Sequence, residues 1–268
     1  VLIRSFIAGT TPVVLPSGRF DTPAFSTGTT TLVATTDPGV PLYTSLVPTQ
    51  LHRLLATPTG IDALEAFTAV LIGGAPIGTP DARPTSIVET YGATETAGGC
   101  VYDGTALNGV GVEIDDTGRI CLGGAVVADG YADGENGDFF VRDGIRWFRT
   151  SDLGVSENGS LSVLGRADDV INSGGYKVHP TVVERAMMRL PGVDQVAVVG
   201  VPDPEWGERI VALLVSAAGA PMPTTSEVRE ALAPDLPRFA LPQEVRAIDR
   251  LPLLESGKID RESARRNA

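Results

Sequence analysis

Short apolar runs ended by glycine recur early in this chain, and they restrict its fold more than any other feature. AVLIGG (69–74) and SIVETYG (86–92) read as buried strands, PLYTSLV (41–47) as another strand, and PTQLHRLLAT (48–57) as a helix opening on Pro48. Apolar strands alternating with helices imply a mainly parallel sheet. In such sheets ligands sit beyond the carboxyl ends of the strands. Two of these ends carry small residues, at Gly73-Gly74 and at Tyr91-Gly92. The second runs on into ATETAGG, which sets one aromatic, Tyr91, and one carboxylate, Glu95, among glycines and hydroxyls.

The periodicity changes near residue 105. DFFVRDGIRWFR turns at Asp143-Gly144 and LGVSENGSLSVLGR at Asn158-Gly159, both type I′ hairpin signals. A small, antiparallel, barrel-like unit is expected over 105–166. After GRADD the pattern resets. PTVVERAMMRL carries a helical stripe at 182, 183, 186, 187 and 190, QVAVVGV, RIVALLVSA and EVRAI read as strands, and Thr224 with Glu227 has capping-box spacing. The last helix, DRESARRNA, has Asp260 as its expected cap. The expected fold class is α/β, with a core at 1–166 (sheet 1–104, barrel-like part 105–166). A hinge at 167–168 and an α+β lid at 169–268 follow. The opening VLIRSFIAGTTPVVL reads as the end of a helix running into a strand, so a further N-terminal portion is expected ahead of it.

A formal net charge of −12 argues against nucleic-acid binding or an anionic membrane surface. No apolar run is long enough to span a bilayer. The cysteines, Cys100 and Cys121, form neither a disulfide framework nor a metal-ligand spacing, and a cytoplasmic location is expected. The chain has only two lysines, Lys177 and Lys258, with arginine at every other basic position. A compact ammonium on a flexible stem is one reason to keep lysine there; an arginine-favouring genome is the other.

Four separated stretches look like ligand loops: YGATET (91–96), FRTSDLG (148–154), GRADDVINSGGYKVHP (165–180) and LPLLESGKIDR (251–261). Each alone has an ordinary reading, such as a core aromatic at Tyr91 or a turn cap at Asp152. In this order they resemble the acyl-adenylate-forming superfamily, as do LIGGAPI (71–77), GRICLGGAVVADGY (118–131) and VAVVGVPDPEWGERIVALLV (196–215). DDVINSGGYKVHP favours the CoA ligases within it. YTSLVPTQLHRLL (43–55) and ETAGGCVYDG (95–104) resemble the actinobacterial o-succinylbenzoate–CoA ligases of menaquinone biosynthesis.

The resemblance implies AMP-forming ligation of a carboxylic acid to coenzyme A, with ATP and CoA as substrates and Mg²⁺ as the metal. It places Tyr91 on adenine, with Gly74, Ala75 and Gly92 beside the nucleotide. Thr94 would contact phosphate, Glu95 the Mg²⁺, Asp152 the ribose hydroxyls, and Arg166 ribose or phosphate oxygens. Lys258 would be the catalytic lysine at the carboxylate and α-phosphate. Asp168 would be the hinge, and Gly174, Gly175 and Lys177 would face CoA. Ser45, Thr49, Gly73, Gly74, Gly98 and Gly99 would line the acyl pocket. A glycine-, serine- and threonine-rich phosphate loop ending in Pro-Lys is expected upstream; FSTGTTT (25–31) lacks the lysine, falls in the wrong order, and reads as helix and loop. Alternatives are another aryl- or acyl-CoA synthetase, or a nucleotide- or acyl-binding protein without catalysis. His52 and His179 have no nucleophile or metal partner at useful spacing, and Cys100 reads as a buried apolar residue.

Overall fold

A computed structural model describes residues 2–18, 20–74, 87–134, 136–217, 219–254 and 258–268. Its contacts divide the chain into two compact units, one through Thr90 and the other from Tyr91 onward.

The first unit opens with helix α1 (Leu2–Ala8), and residues 11–16 after it form no strand. The strand expected there is therefore absent. Asp21 caps helix α2 (Thr22–Thr35), its carboxylate accepting from the Ala24 amide at 3.1 Å. FSTGTTT lies wholly inside this helix. Its hydroxyls are spent on the preceding turn, with Thr29, Thr30 and Thr31 donating to the carbonyls of Phe25, Ser26 and Thr27. Threonine completes such i−4 bonds readily, so the apparent phosphate loop is ordinary helix. Strand β1 (Tyr43–Leu46), helices α3 (Pro48–Leu55) and α4 (Pro58–Glu65), and strands β2 (Ala69–Ile72) and β3 (Ile87–Ala93) follow. β1 pairs with β2 and β2 with β3, both parallel as expected. Phe25, Leu51, Leu54, Leu64 and Phe67 pack on Leu46, Val70, Ile72 and Ile87 to form the core of this unit.

The second unit carries the remaining elements: β4 (Gly98–Tyr102), β5 (Thr105–Ala106), β6 (Val110–Ile114), β7 (Arg119–Gly124), β8 (Phe139–Arg142), β9 (Ile145–Glu157) and β10 (Ser160–Arg166). Asp143-Gly144 and Asn158-Gly159 all have positive φ, as type I′ turns require. The hairpins make an antiparallel sheet in the order β10-β9-β7-β6, with β8 also on β9. Among the described residues no pairing closes this sheet, so the barrel-like expectation becomes an open one. Gly111 and Gly123 account for part of its packing: a Cβ on either would stand 2.7 or 2.6 Å from the Trp147 ring.

Then come β11 (Ile171–Ser173), β12 (Tyr176–Val178), α5 (Pro180–Met187), β13 (Val193–Asp203), β14 (Gly207–Ser216), α6 (Thr225–Leu232), β15 (Glu244–Ala247) and α7 (Arg261–Arg266). The capping box is present, with Thr224 accepting from the Glu227 amide and Glu227 accepting from the Thr224 amide. The sheet runs β12-β11-β14-β13, with β15 on β14. β13 alternates strictly. Val196 and Val198 pack with Val183, Met187, Val228 and Leu232 of α5 and α6, while Ala197 and Val199 pack with Leu251 and Ala264. Both faces are covered, which explains the unbroken apolar run of this strand.

Candidate active site

β3 runs into a single 3-10 turn, Thr94–Thr96, that brings the site residues together. Thr96 is buried and ties the turn: its hydroxyl donates to the Gly98 carbonyl at 2.9 Å, lies 3.1 Å from the Ala93 carbonyl, and accepts from the Ala93 amide at 3.0 Å. The turn closes on Ala97 in the left-handed region at φ 55°. Thr94 is left exposed and Glu95 half-buried. Gly92 must be glycine, since a Cβ there would lie 2.1 Å from the Gly98 carbonyl oxygen.

Tyr91 and Asp152 meet from opposite parts of the sequence. The Tyr91 hydroxyl donates to Asp152 Oδ2 at 2.9 Å and lies 3.4 Å from Thr150 Oγ1. Thr150 in turn accepts from the Asp152 amide at 3.0 Å. Burial, and after it the Asp152 charge, pushes the Tyr91 phenol far above its ordinary range, so it remains a donor. Arg166 stands opposite Asp152 in the β9–β10 register, but its guanidinium binds Asp168 Oδ2 at 2.9 Å, both side chains facing solvent.

Glu95 has a partner the sequence reading missed. Tyr131 donates to Glu95 Oε1 at 2.6 Å, while its ring packs edge-on against Phe139, which meets Phe148. The Glu95 bond comes first among the causes pushing the Tyr131 phenol up to about 12. Ultraviolet titration of tyrosinate should therefore show Tyr131 ionising near pH 12, and Glu95→Gln should return it toward 10.0, its ordinary value. Because the folded protein raises this pKa, stability from the bond is full below pH 10.0 and is lost as pH rises toward about 12. A Tyr131 transition unmoved by Glu95→Gln would refute the contact.

Lys258 is exposed on a loop with a defined stem. Leu253 bridges Ile259, the Leu254 amide donates to the Lys258 carbonyl, and the Asp260 amide donates to Pro252. Asp260 caps α7 through the Ser263 amide, as expected. Gly174 and Gly175 both have positive φ; the Gly174 amide donates to the Trp206 carbonyl, and the Trp206 ring leaves only 3.0 Å for a Cβ. Lys177 is exposed in β12. His179 is half-buried; burial first, then Lys177, lowers its pKa. Among the described residues no hydrogen bond or ion pair joins Lys258 or Lys177 to Tyr91, Glu95 or Asp152.

Of the expected acyl-pocket residues, Ser45 is exposed in β1, Thr49 half-buried at the start of α3, and Gly74 has φ 87°. Gly73 donates to the Leu46 carbonyl, and a Cβ on it would meet Thr90 Oγ1 at 2.7 Å. In the second unit, Gly98 has φ 103° and Gly99 accepts from the Tyr102 hydroxyl. Ala75 lies outside the described residues. Cys100 and Cys121 are buried and unpaired with each other.

The chain is 42% identical over 270 residues to the probable 2-succinylbenzoate–CoA ligase of Mycobacterium tuberculosis, covering 97% of this chain and 69% of the relative. It belongs to the acyl-adenylate-forming family. The family's AMP-binding enzyme C-terminal domain matches residues 182–258. Two solved members share the fold. One is o-succinylbenzoate CoA synthetase from Bacillus subtilis in complex with the acyl-adenylate intermediate OSB-AMP, at 27% identity and TM-score 0.72, over 98% of this chain and 57% of that one. The other is ATP-bound MatB from Rhodopseudomonas palustris, at 26% identity and TM-score 0.74, over 93% of this chain and 53% of that one. The chain thus spans about half the length of the solved family members it matches. Among the described residues no helix is long and apolar enough to cross a membrane.

Proposed function

We propose that this chain supplies the nucleotide-gripping and lysine-bearing parts of an AMP-forming acid–CoA ligase, with o-succinylbenzoate as the acid. The observation that carries this reading is the 2.9 Å bond from Tyr91 to Asp152, which joins residues 61 apart. It sets a flat ring beside an acceptor-only carboxylate, the pair that adenosine needs. The Tyr91 ring faces adenine, with Gly92 admitting the nucleotide closely. Asp152 takes the ribose hydroxyls with its oxygen not used by Tyr91, and Arg166 turns from Asp168 to the nucleotide.

Thr94 donates to the phosphates from its exposed position on the turn. Glu95 fits Mg²⁺ by donor chemistry: one hard carboxylate, with one oxygen on Tyr131, suits an ion that keeps its waters and shares the substrate's phosphates. When bound, the ion neutralises phosphate charge. Lys258 holds the substrate carboxylate and α-phosphate together. A carboxylate oxygen bonds to the α-phosphorus, the bond from that phosphorus to the bridging oxygen breaks, and pyrophosphate leaves. Positioning and charge stabilisation do most of this work.

Rotation about Asp168, the hinge, then turns the α+β part from 169 onward. Gly174 and Gly175 line the path of the pantetheine and Lys177 meets the CoA phosphates. The thiol sulfur attacks the acyl carbon, AMP leaves, and the thiol proton goes to solvent. Small residues at Gly98 and Gly99 admit an aromatic acid. The same reading assigns the step to menaquinone biosynthesis in the cytoplasm.

The test is AMP release with o-succinylbenzoate, ATP, Mg²⁺ and CoA. It is run on this chain and on the chain joined to the upstream segment of the mycobacterial relative. Turnover in the joined protein is expected. Turnover with a different aromatic acid alone would replace the substrate. Failure of pyrophosphate exchange across a panel of acids would leave a binding protein.

A further inference from the structure

Arg261 stands three positions after Lys258 and makes contacts that catalysis as described does not use. It is the first residue of α7, and its side chain is only 19% exposed. Nη1 donates to Glu184 Oε1 at 2.8 Å and to the Val198 carbonyl at 3.0 Å, and Nη2 donates to Glu184 Oε2 at 3.0 Å. Nε pairs with Asp169 Oδ2 at 2.9 Å. Glu184 Oε1 also accepts from the Val198 amide at 2.8 Å.

β13 is the last strand of its sheet. Glu184 and Arg261 therefore satisfy the amide and the carbonyl that Val198 presents at a free edge. That part of the arrangement is structural. The Asp169 contact is different, because edge capping does not need it. Asp169 closes the 3-10 turn Ala167–Asp169, whose middle residue, Asp168, faces solvent and pairs only with Arg166 among the described residues. One guanidinium thus joins that turn to α5, to β13 and to the stem of the Lys258 loop. The stem itself is anchored: Ile259 packs against the Ala197, Val199 and Leu251 face, and Asp260 caps α7. A planar fork with five donors grips both Glu184 oxygens and still reaches Val198 and Asp169 in fixed directions, which a compact ammonium does not.

We propose that Arg261 is a positioning residue that clamps Asp169 to the Lys258 loop, so that rotation at Asp168 carries Lys258 as part of one rigid body. This rests on the proposed ligase reading. A loosened clamp leaves Lys258 present but misplaced for the first half-reaction. The second half-reaction, which does not use Lys258, proceeds unchanged.

The experiment uses the joined full-length protein with Asp169→Asn, Arg261→Lys, Lys258→Ala and the double variant Asp169→Asn/Lys258→Ala. Pyrophosphate exchange with o-succinylbenzoate reads adenylation, supplied acyl-AMP with CoA reads thioester formation, and thermal unfolding reads the fold. Asp169→Asn is expected to lower the adenylation kcat on the order of tenfold, below the ~100-fold that a 1 Å misplacement costs. KM for ATP and thioester formation are expected to hold. Arg261→Lys should repeat the pattern with a lower unfolding temperature. In the Lys258→Ala background, Asp169→Asn should add nothing. Equal loss in both half-reactions, full additivity with Lys258→Ala, or a change in unfolding temperature alone would overturn the clamp. Normal adenylation in Asp169→Asn would overturn it while leaving the ligase reading intact. A wild-type protein without pyrophosphate exchange would remove both.

Discussion

Lys258→Ala is expected to lower adenylation by ~10²–10³, the usual cost of losing one preorganised charge at a reacting centre. The fold should not change. Lys258 is exposed, its loop is held by backbone bonds at Leu253, Leu254 and Asp260, and no core cluster includes its side chain. Pyrophosphate exchange in the joined protein measures the loss, and circular dichroism with thermal unfolding checks the fold. Thioester formation from supplied acyl-AMP should survive. Lys258→Arg should rescue little, because a planar fork does not reproduce a compact ammonium. Exchange retained within threefold, as an order-of-magnitude bound, would remove Lys258 from the chemistry and with it the main catalytic assignment.

Glu184→Ala is expected to cost about 3–5 kcal/mol of stability, the range for removing one partner of a buried ion pair. Glu184 is 8% exposed, and its loss strips the acceptor from the Val198 amide and from two Arg261 nitrogens at one stroke. Burial alone would lower the Arg261 pKa, but Glu184 and Asp169 outweigh it and hold the guanidinium charged. After the substitution that charge keeps only Asp169 and the Val198 carbonyl. Urea unfolding followed by a probe in the α+β part measures the change, since a chain with two compact units need not unfold in one step. Glu184→Gln should lose less, as its amide oxygen still accepts one bond. A double change to Glu184→Ala with Arg261→Met should recover part of the loss, because an uncharged pair leaves no ion stranded. A loss below ~1 kcal/mol for the single variant would mean water or a shifted Arg261 replaces the carboxylate.

The sequence reading was strongest where one local rule sufficed. β3, α3, both type I′ hairpins, the Thr224 capping box and the Asp260 cap lie where their residues indicate. It failed where local and tertiary preferences diverge. Residues 11–16 have strand-like composition yet form no strand, because a strand needs a neighbour to take its backbone bonds. The hairpins of 105–166 promised a barrel, but closure depends on the pairing of end strands, which no single hairpin encodes. Thr150 and Tyr131 were missed as partners of Tyr91 and Glu95. Both lie inside quoted stretches, Thr150 in FRTSDLG and Tyr131 at the end of GRICLGGAVVADGY, but a hydroxyl there does not say which distant group it will meet.

By itself, the sequence determined the order of the elements, their turns and caps, the family they resemble, and which residues carry rings, carboxylates and the two lysines. Those depend on spacing and chemistry along the chain, which are local quantities. Only the tertiary structure decided that Tyr91 would bond Asp152, that Tyr131 would hold one oxygen of Glu95, and that Arg261 would join Asp169, Glu184 and Val198. Each of those contacts links residues 36 to 92 positions apart by the numbering of the chain. Their strength comes from burial and mutual orientation, and neither exists until the sheets have packed.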